Sequence, residues 1–231
     1  TAVTGALSAS IAHELNQPLG ASNINIQFLK SKLDKGQLNP ELGKEVLDDL
    51  ERDNKRAATI VGSLRSIFTE SGIKNEDVKV GQIIDSVLEI VNSDLLAKNI
   101  QVDLNIDQNL RVHIRDAEFQ QVLLNLINNA VQSISSLEAV KGHIQIEATQ
   151  NEEKAQISIS DNGSGVPKEQ QLGLFELLNT TKETGMGLGL WLCKHIITRY
   201  EGSIYYKDSV GRGAKFVIEL PLFNKNKMSL S

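Results

Sequence analysis

The feature that most restricts this chain is a single change in the spacing of its apolar side chains near residue 72. Before that point the apolar positions keep helical time. Ile11, Leu15, Leu19, the small Ser22, Ile26, Leu29 and Leu33 advance by 4, 4, 3, 4, 3 and 4 residues, one stripe on one helix. Asp34-Lys-Gly-Gln-Leu-Asn-Pro40 interrupts the pattern, with Gly36 suited to end a helix, Asn39 to cap the next and Pro40 to its first position. Leu42, Val46, Leu50, Ala57, Val61, Leu64 and Phe68 then form a second stripe. Two arms of about 30 residues make a helical hairpin with no third layer to cover it, so a four-helix bundle made with a second copy is expected.

After a polar stretch at Ser71–Glu76, read as a linker, the period falls toward two. An amphipathic helix is expected at Gly81–Lys98, and alternating strands at Ile100–Ile106 and Leu110–Ile114. A helix rich in Leu, Val and Ile comes next at Asp116–Ile134, then strands at His143–Thr149 and Ala155–Ser160. A glycine-rich polar stretch leads to a helix near Leu190–Tyr200 and strands at Ser203–Lys207 and Ala214–Leu220. Strands with one wet side, bracketed by helices, predict an α/β sandwich with a mixed, mostly antiparallel sheet. The whole is therefore α+β, with domains expected at 1–72 and 73–231.

Composition narrows the function. The formal net charge of −5 gives no broad basic surface for nucleic acid or membrane, and neither partner is expected. One cysteine, Cys193, excludes an intrachain disulfide framework and a multi-cysteine zinc site. No apolar run approaches membrane-spanning length. Because the chain opens on Thr1, it is read as a soluble piece of a longer protein.

Four segments carry candidate chemistry. His13 comes two residues after Ile11, about 200° around the helix, so it points away from the apolar stripe, with Glu14 beside it. An imidazole polarised by a carboxylate is a nucleophile; a surface histidine is the plain alternative. Pro18 inside the same pattern removes a helix hydrogen bond and invites a kink. Asn125 and Asn129 share a helix face, and their amide oxygens are hard ligands suited to Mg²⁺, although a hydrated face would look the same. Asp161-Asn-Gly163-Ser-Gly165 closes a strand with a carboxylate and a turn. Gly185-Met-Gly187-Leu188-Gly189 opens a helix where backbone N–H groups can cradle phosphates. Between them Asn162–Met186 is long enough for a lid; it holds Phe175, Thr180, Thr181 and Lys182, the last able to meet phosphate. His113, His143 and His195 are read as structural or surface groups, Cys193 as a small core residue, and Trp191 as a fluorescence reporter of lid closure.

In this order the segments resemble the sensor histidine kinases of two-component signalling. His13-Glu-Leu-Asn-Gln-Pro-Leu is similar to their H-box, Asn125–Ala130 to the N-box, Asp161–Gly165 to the first glycine box and Phe175 to the F-box. Gly185–Gly189 resembles the second glycine box and Gly211-Arg-Gly213-Ala-Lys-Phe216 the terminal glycine motif. The wording around His13 and Thr180–Leu190 resembles the branch that includes dicarboxylate and oxygen sensors.

The resemblance implies a homodimeric phosphoacceptor hairpin joined to a Bergerat-type domain that binds ATP and Mg²⁺. His13 would take the γ-phosphoryl group, aided by Glu14, and pass it to an aspartate of a response-regulator receiver domain. Asp161 would select adenine, while Asn129 with Asn125 would hold Mg²⁺. Gly163, Gly165, Thr181, Lys182, Gly185, Gly187, Leu188 and Gly189 would line the nucleotide. Gln17 stands where the family often has Thr or Asn to orient a hydrolytic water, and Gln132 where some members place a basic group. The fragment would work in the cytoplasm, where ATP is, with anchoring of a longer parent left open. Gyrase, heat-shock and mismatch-repair ATPases share the ATP fold but commonly carry a glutamate where this chain has Asn125, and lack the His-Glu hairpin. A catalytically silent dimeric scaffold regulating another kinase is the alternative from a different class.

Overall fold

The computed structural model describes residues 2–68, 76–137, 141–151, 153–176, 188–209 and 211–222. The chain divides into two compact units, Thr1–Thr69 and Glu70–Ser231.

The first unit is two helices, α1 (Ala2–Asp34) and α2 (Pro40–Phe68). The turn between them is closed by chemistry local to it. Gly36 adopts φ +64, Gln37 N donates to Lys32 O at 2.9 Å and Gly36 N to Leu33 O at 3.0 Å, which is a Schellman motif. Two residues on, Asn39 Oδ1 accepts from Leu42 N at 2.7 Å and caps α2. Val46, Ile60 and Pro18 are buried where the helices pack. The helix continues through Pro18, which has no N–H to offer the carbonyl of Glu14.

The second unit begins with β1 (Glu76–Lys79) and α3 (Val80–Ala97), then β2 (Ile100–Ile106), β3 (Arg111–Ile114) and α4 (Asp116–Ser135). Then come β4 (Gly142–Gln150), β5 (Lys154–Asp161), the single turn α5 (Lys168–Gln171), α6 (Gly189–Arg199), β6 (Ser203–Asp208) and β7 (Ala214–Pro221). A five-stranded sheet runs in the order β2-β4-β5-β7-β6, with β2 and β4 parallel and the other neighbours antiparallel. This is the mixed, mostly antiparallel sheet that the alternation predicts.

The register explains the two faces. Ile146, Ile159 and Phe216 lie across from one another, as do Ala148, Ile157 and Ile218, and this apolar side is covered by α3, α4 and α6. On the opposite side Lys215 Nζ donates to Glu147 Oε2 at 3.0 Å, and Tyr205 Oη to Glu219 Oε1 at 2.8 Å. Such pairs keep that side wettable.

Two differences from the sequence expectation stand out. The linker reading at Ser71–Glu76 ends too late: Glu76 opens β1, which pairs antiparallel with β3 through Val78 and Val112. Four residues with one inward apolar side chain hold too little alternation to announce a strand. Accordingly β3 belongs to this small ribbon and not to the main sheet.

Candidate nucleotide site

Asp161 is the last residue of β5 and is buried. The chain then enters a compact turn held by its own polar groups. Asn162 acts as one more rung between β4 and β5: its side-chain Oδ1 accepts from His143 N at 2.8 Å and its Nδ2 donates to Lys141 O at 2.8 Å. Its own N–H donates to His143 O at 3.2 Å. Gly163 N then donates to Asp161 Oδ1 at 2.8 Å, fixing the carboxylate.

The glycines here are required by close approach. A methyl group on Gly163 would overlap Ser133 Oγ and come within 2.6 Å of Ser133 C. Gly213, at φ +107, lies against the Asp161 carbonyl so closely that any β-carbon would overlap its oxygen. Gly165 meets Gly213 in turn. Gly213 therefore buttresses the Asp161 turn from a distant part of the sequence.

One face of α4 connects the motif residues. Asn125, Asn129 and Ser133 recur every four residues and share that face. At one end Asn125 Nδ2 donates to Gly189 O at 3.4 Å, while its Oδ1 accepts from Gln121 Nε2 at 3.3 Å. At the other, Ser133 Oγ accepts from Ser164 N at 3.1 Å. Asn129, half-buried, sits between these contacts, and Asn128 points to solvent. The face thus reaches from the first residue of α6 to the turn after Asp161. Leu188 is buried just before α6. Phe175 meets the Phe216 ring edge-to-face at 6.3 Å, and Phe216 meets Tyr206 at 5.9 Å.

The expected phosphate contacts Thr181, Lys182, Gly185 and Gly187 lie outside the described residues. His13 and Glu14 stand on α1, but their side chains lie outside the described part; Gln17, one turn on, is exposed. No cluster of three His, Cys, Asp or Glu side chains that could hold a metal occurs among the described residues. The Asn125–Asn129 face suits Mg²⁺ through amide oxygen instead, since that ion takes few protein ligands and keeps its waters and phosphates.

The remaining groups named from sequence have structural surroundings. Cys193 is buried, its Sγ 3.8 Å from Val122 O, and burial pushes its thiol up to about 12. His195 stacks on Trp191 with ring centroids 5.1 Å apart; burial, then the Arg199 charge, lowers its pKa, while Glu118 pulls the other way. His143 Nε2 lies 2.8 Å from Asp103 Oδ2. Ser133 and the buttressing role of Gly213 do not show in the sequence reading. The four-residue continuation of the Asn125–Asn129 ladder is the available signal for Ser133.

Similarity to known proteins extends over most of the chain. Residues 114–224 match the family described as histidine kinase-, DNA gyrase B- and HSP90-like ATPase. Sporulation kinase D of Bacillus subtilis is 32% identical over 220 residues, covering 94% of this chain and 42% of that protein. Sensor histidine kinase ZraS of Salmonella typhimurium is 28% identical over 225 residues, covering 96% of this chain and 47% of ZraS. The chain thus spans less than half the length of these two relatives. The crystal structure of histidine kinase ThkA in complex with response regulator protein TrrA shares the fold, with TM-score 0.76 and 24% identity over 96% of this chain and 63% of that one. Residues 114–224 are therefore similar to the ATPase family that takes in histidine kinases, DNA gyrase B and HSP90, and more than nine-tenths of the chain is similar to a sensor histidine kinase and to a sporulation kinase.

Proposed function

We propose that the chain is the catalytic core of a sensor histidine kinase. It phosphorylates itself on His13 with ATP and passes the phosphoryl group to an aspartate of a response regulator. The observation that carries this reading is the single α4 face that links the start of α6, Asn129 and the turn holding Asp161.

Each role rests on chemistry. The buried Asp161 carboxylate accepts a hydrogen bond from the adenine 6-amino group, where guanine presents a carbonyl oxygen instead. Asn129, with Asn125 one turn earlier, offers amide oxygen to Mg²⁺, which neutralises charge on the phosphates when bound. Backbone N–H groups of Gly187, Leu188 and Gly189 cradle the phosphates, with Lys182 and Thr181 adding contacts. Gly163 and Gly165 shape the adenine end. His13 Nε2 attacks the γ-phosphorus in line as the bond to ADP breaks, and Glu14 takes the Nδ1 proton. Gln17, four residues on and so on the same helix face, is placed to orient a water against the phosphohistidine.

Two features of the hairpin support the expected partners. Leu19, Ile26 and Leu33, spaced by seven, are 52%, 43% and 66% exposed in the single chain. A second copy would bury that stripe and complete a four-helix bundle. Ile24 and Phe28, 68% and 40% exposed, fall at positions on the His13 face and offer an apolar track for a receiver domain. The motif wording supports a place near the dicarboxylate- and oxygen-sensor branch, and the need for ATP supports a cytoplasmic site of action.

Incubation with γ-labelled ATP and Mg²⁺ tests the reading. Acid-labile, base-stable label that disappears in His13→Ala and Asn129→Ala is the expected result. Acid-stable label that survives His13→Ala would overturn it.

A further inference from the structure

The first turn of α4 lacks a cap of its own. Arg115, its N-cap residue, makes no side-chain capping bond. Glu118 occupies the third helical position, where a glutamate ordinarily reaches back to the N-cap N–H. Here it does not reach back directly. The Tyr200 hydroxyl, at the C-cap of α6, donates to Glu118 Oε2 at 2.5 Å and accepts from Arg115 N at 3.4 Å. A capping box is thus completed through a side chain from the other helix. Arg199, in the last turn of α6, places Nη2 2.7 Å from Glu118 Oε1. A carboxylate at a helix start and a guanidinium at a helix end each suit the local dipole, so the pair favours this antiparallel arrangement. Tyr200 and Glu118 are both buried, and burial together with Glu118 pushes the phenol up to about 12, so it remains a donor across the working pH range.

Polar contacts mark the α4–α6 seam from end to end: Glu118 with Arg199 and Tyr200, Val122 O with Cys193, and Asn125 with Gly189. The last of these fixes the residue at the end of the glycine run. We propose that Tyr200, acting through Glu118 and Arg115, is a positioning residue that sets the register of α6 on α4 and so holds the start of α6 for nucleotide phosphates. The inference rests on the nucleotide-binding role given to Gly187–Gly189. It extends that role to a side chain at the opposite end of the helix pair, which touches no ligand.

The test is ATP affinity, read by Trp191 fluorescence on the intact chain well below its melting temperature. Tyr200→Phe, which keeps the ring and removes only the hydroxyl, should weaken ATP binding about 3- to 10-fold. The labelling rate of His13 at saturating ATP should stay unchanged. Glu118→Gln, which keeps an acceptor for the hydroxyl, should weaken binding less and serves should Tyr200→Phe not fold. Val91→Ala in α3, tuned by temperature to the same fraction of stability lost, should leave affinity unchanged. Unaltered affinity in Tyr200→Phe, or an equal loss in Val91→Ala, would overturn the inference. Because binding and labelling are read separately, the two proposals can fail apart. Wild-type labelling of His13 with unaltered Tyr200→Phe affinity sinks only the positioning role. Weakened binding in a chain that never labels His13 sinks only the kinase reading.

Discussion

Gly213 and Asp161 are in backbone contact: the α-carbon of Gly213 rests on the Asp161 carbonyl, leaving no room for a β-carbon, and does so at φ +107. The residue that closes the β5 strand is thereby held by a glycine 52 positions later in the chain. Gly213→Ala should lower stability by about 2–4 kcal/mol and weaken ATP binding further than that loss explains, because the carboxylate turn itself must shift. Urea unfolding beside nucleotide titration reads both effects; wild-type affinity in a destabilised variant would show that Asp161 is aimed without this contact.

Asn39 caps α2 through its bond to Leu42 N. Asn39→Ala should cost the hairpin about 1 kcal/mol, and Asn39→Asp should restore most of it. Chemical denaturation monitored by circular dichroism on the three forms measures the difference.

Cys193 should resist thiol reagents while the chain is folded. With its pKa pushed up to about 12, the thiolate fraction at pH 8 is about one in ten thousand, and burial blocks access besides. Labelling should therefore track the opening of the α4–α6 seam and accelerate on adding urea. Rapid labelling under native conditions would contradict the packing of Cys193 against Val122.

Stability should fall in two separate pH ranges. The folded pKa of His195 is lowered from its ordinary 6.5, so below 6.5 the unfolded chain binds this proton first. Stability then declines as pH drops through 6.5, levelling once folded His195 also protonates. Glu147, hydrogen-bonded by Lys215, and Glu219, hydrogen-bonded by Tyr205 and Lys154, are held below 4.5. Their contribution is present above 4.5 and fades as pH falls below it. Melting temperature against pH shows both declines, and His195→Gln should flatten the upper one alone.

Legibility in the sequence depends on how local each requirement is. Gly36, Asn39 and Pro40 end one helix and start the next through bonds spanning only a few residues, so their types announce their places. The sheet strands are legible for a similar reason: the alternation of Ile144, Ile146 and Ala148 records one dry face and one wet face. β1 is too short to show a period, and α5 is a single turn inside a polar loop. Asn162 reads as an ordinary turn residue because its partners, Lys141 and His143, stand about twenty positions away. Ser133 and Gly213 are small for the sake of distant neighbours, and a lone sequence does not name those neighbours. Asn129 and Asp161 stand out for the opposite reason, since a polar amide on a helix face and a carboxylate at the end of an apolar strand each sit against local preference.

The relayed cap also orders events in time. Arg115 and Tyr200 are 85 residues apart, so a chain growing from its N-terminus makes α4 long before it makes the hydroxyl that finishes the helix. Until Tyr200 has been added, the Arg115 N–H and the Glu118 carboxylate lack the hydroxyl that joins them in the folded chain. A chain cut short before Tyr200 has every asparagine of that face but lacks the hydroxyl that bridges Arg115 and Glu118.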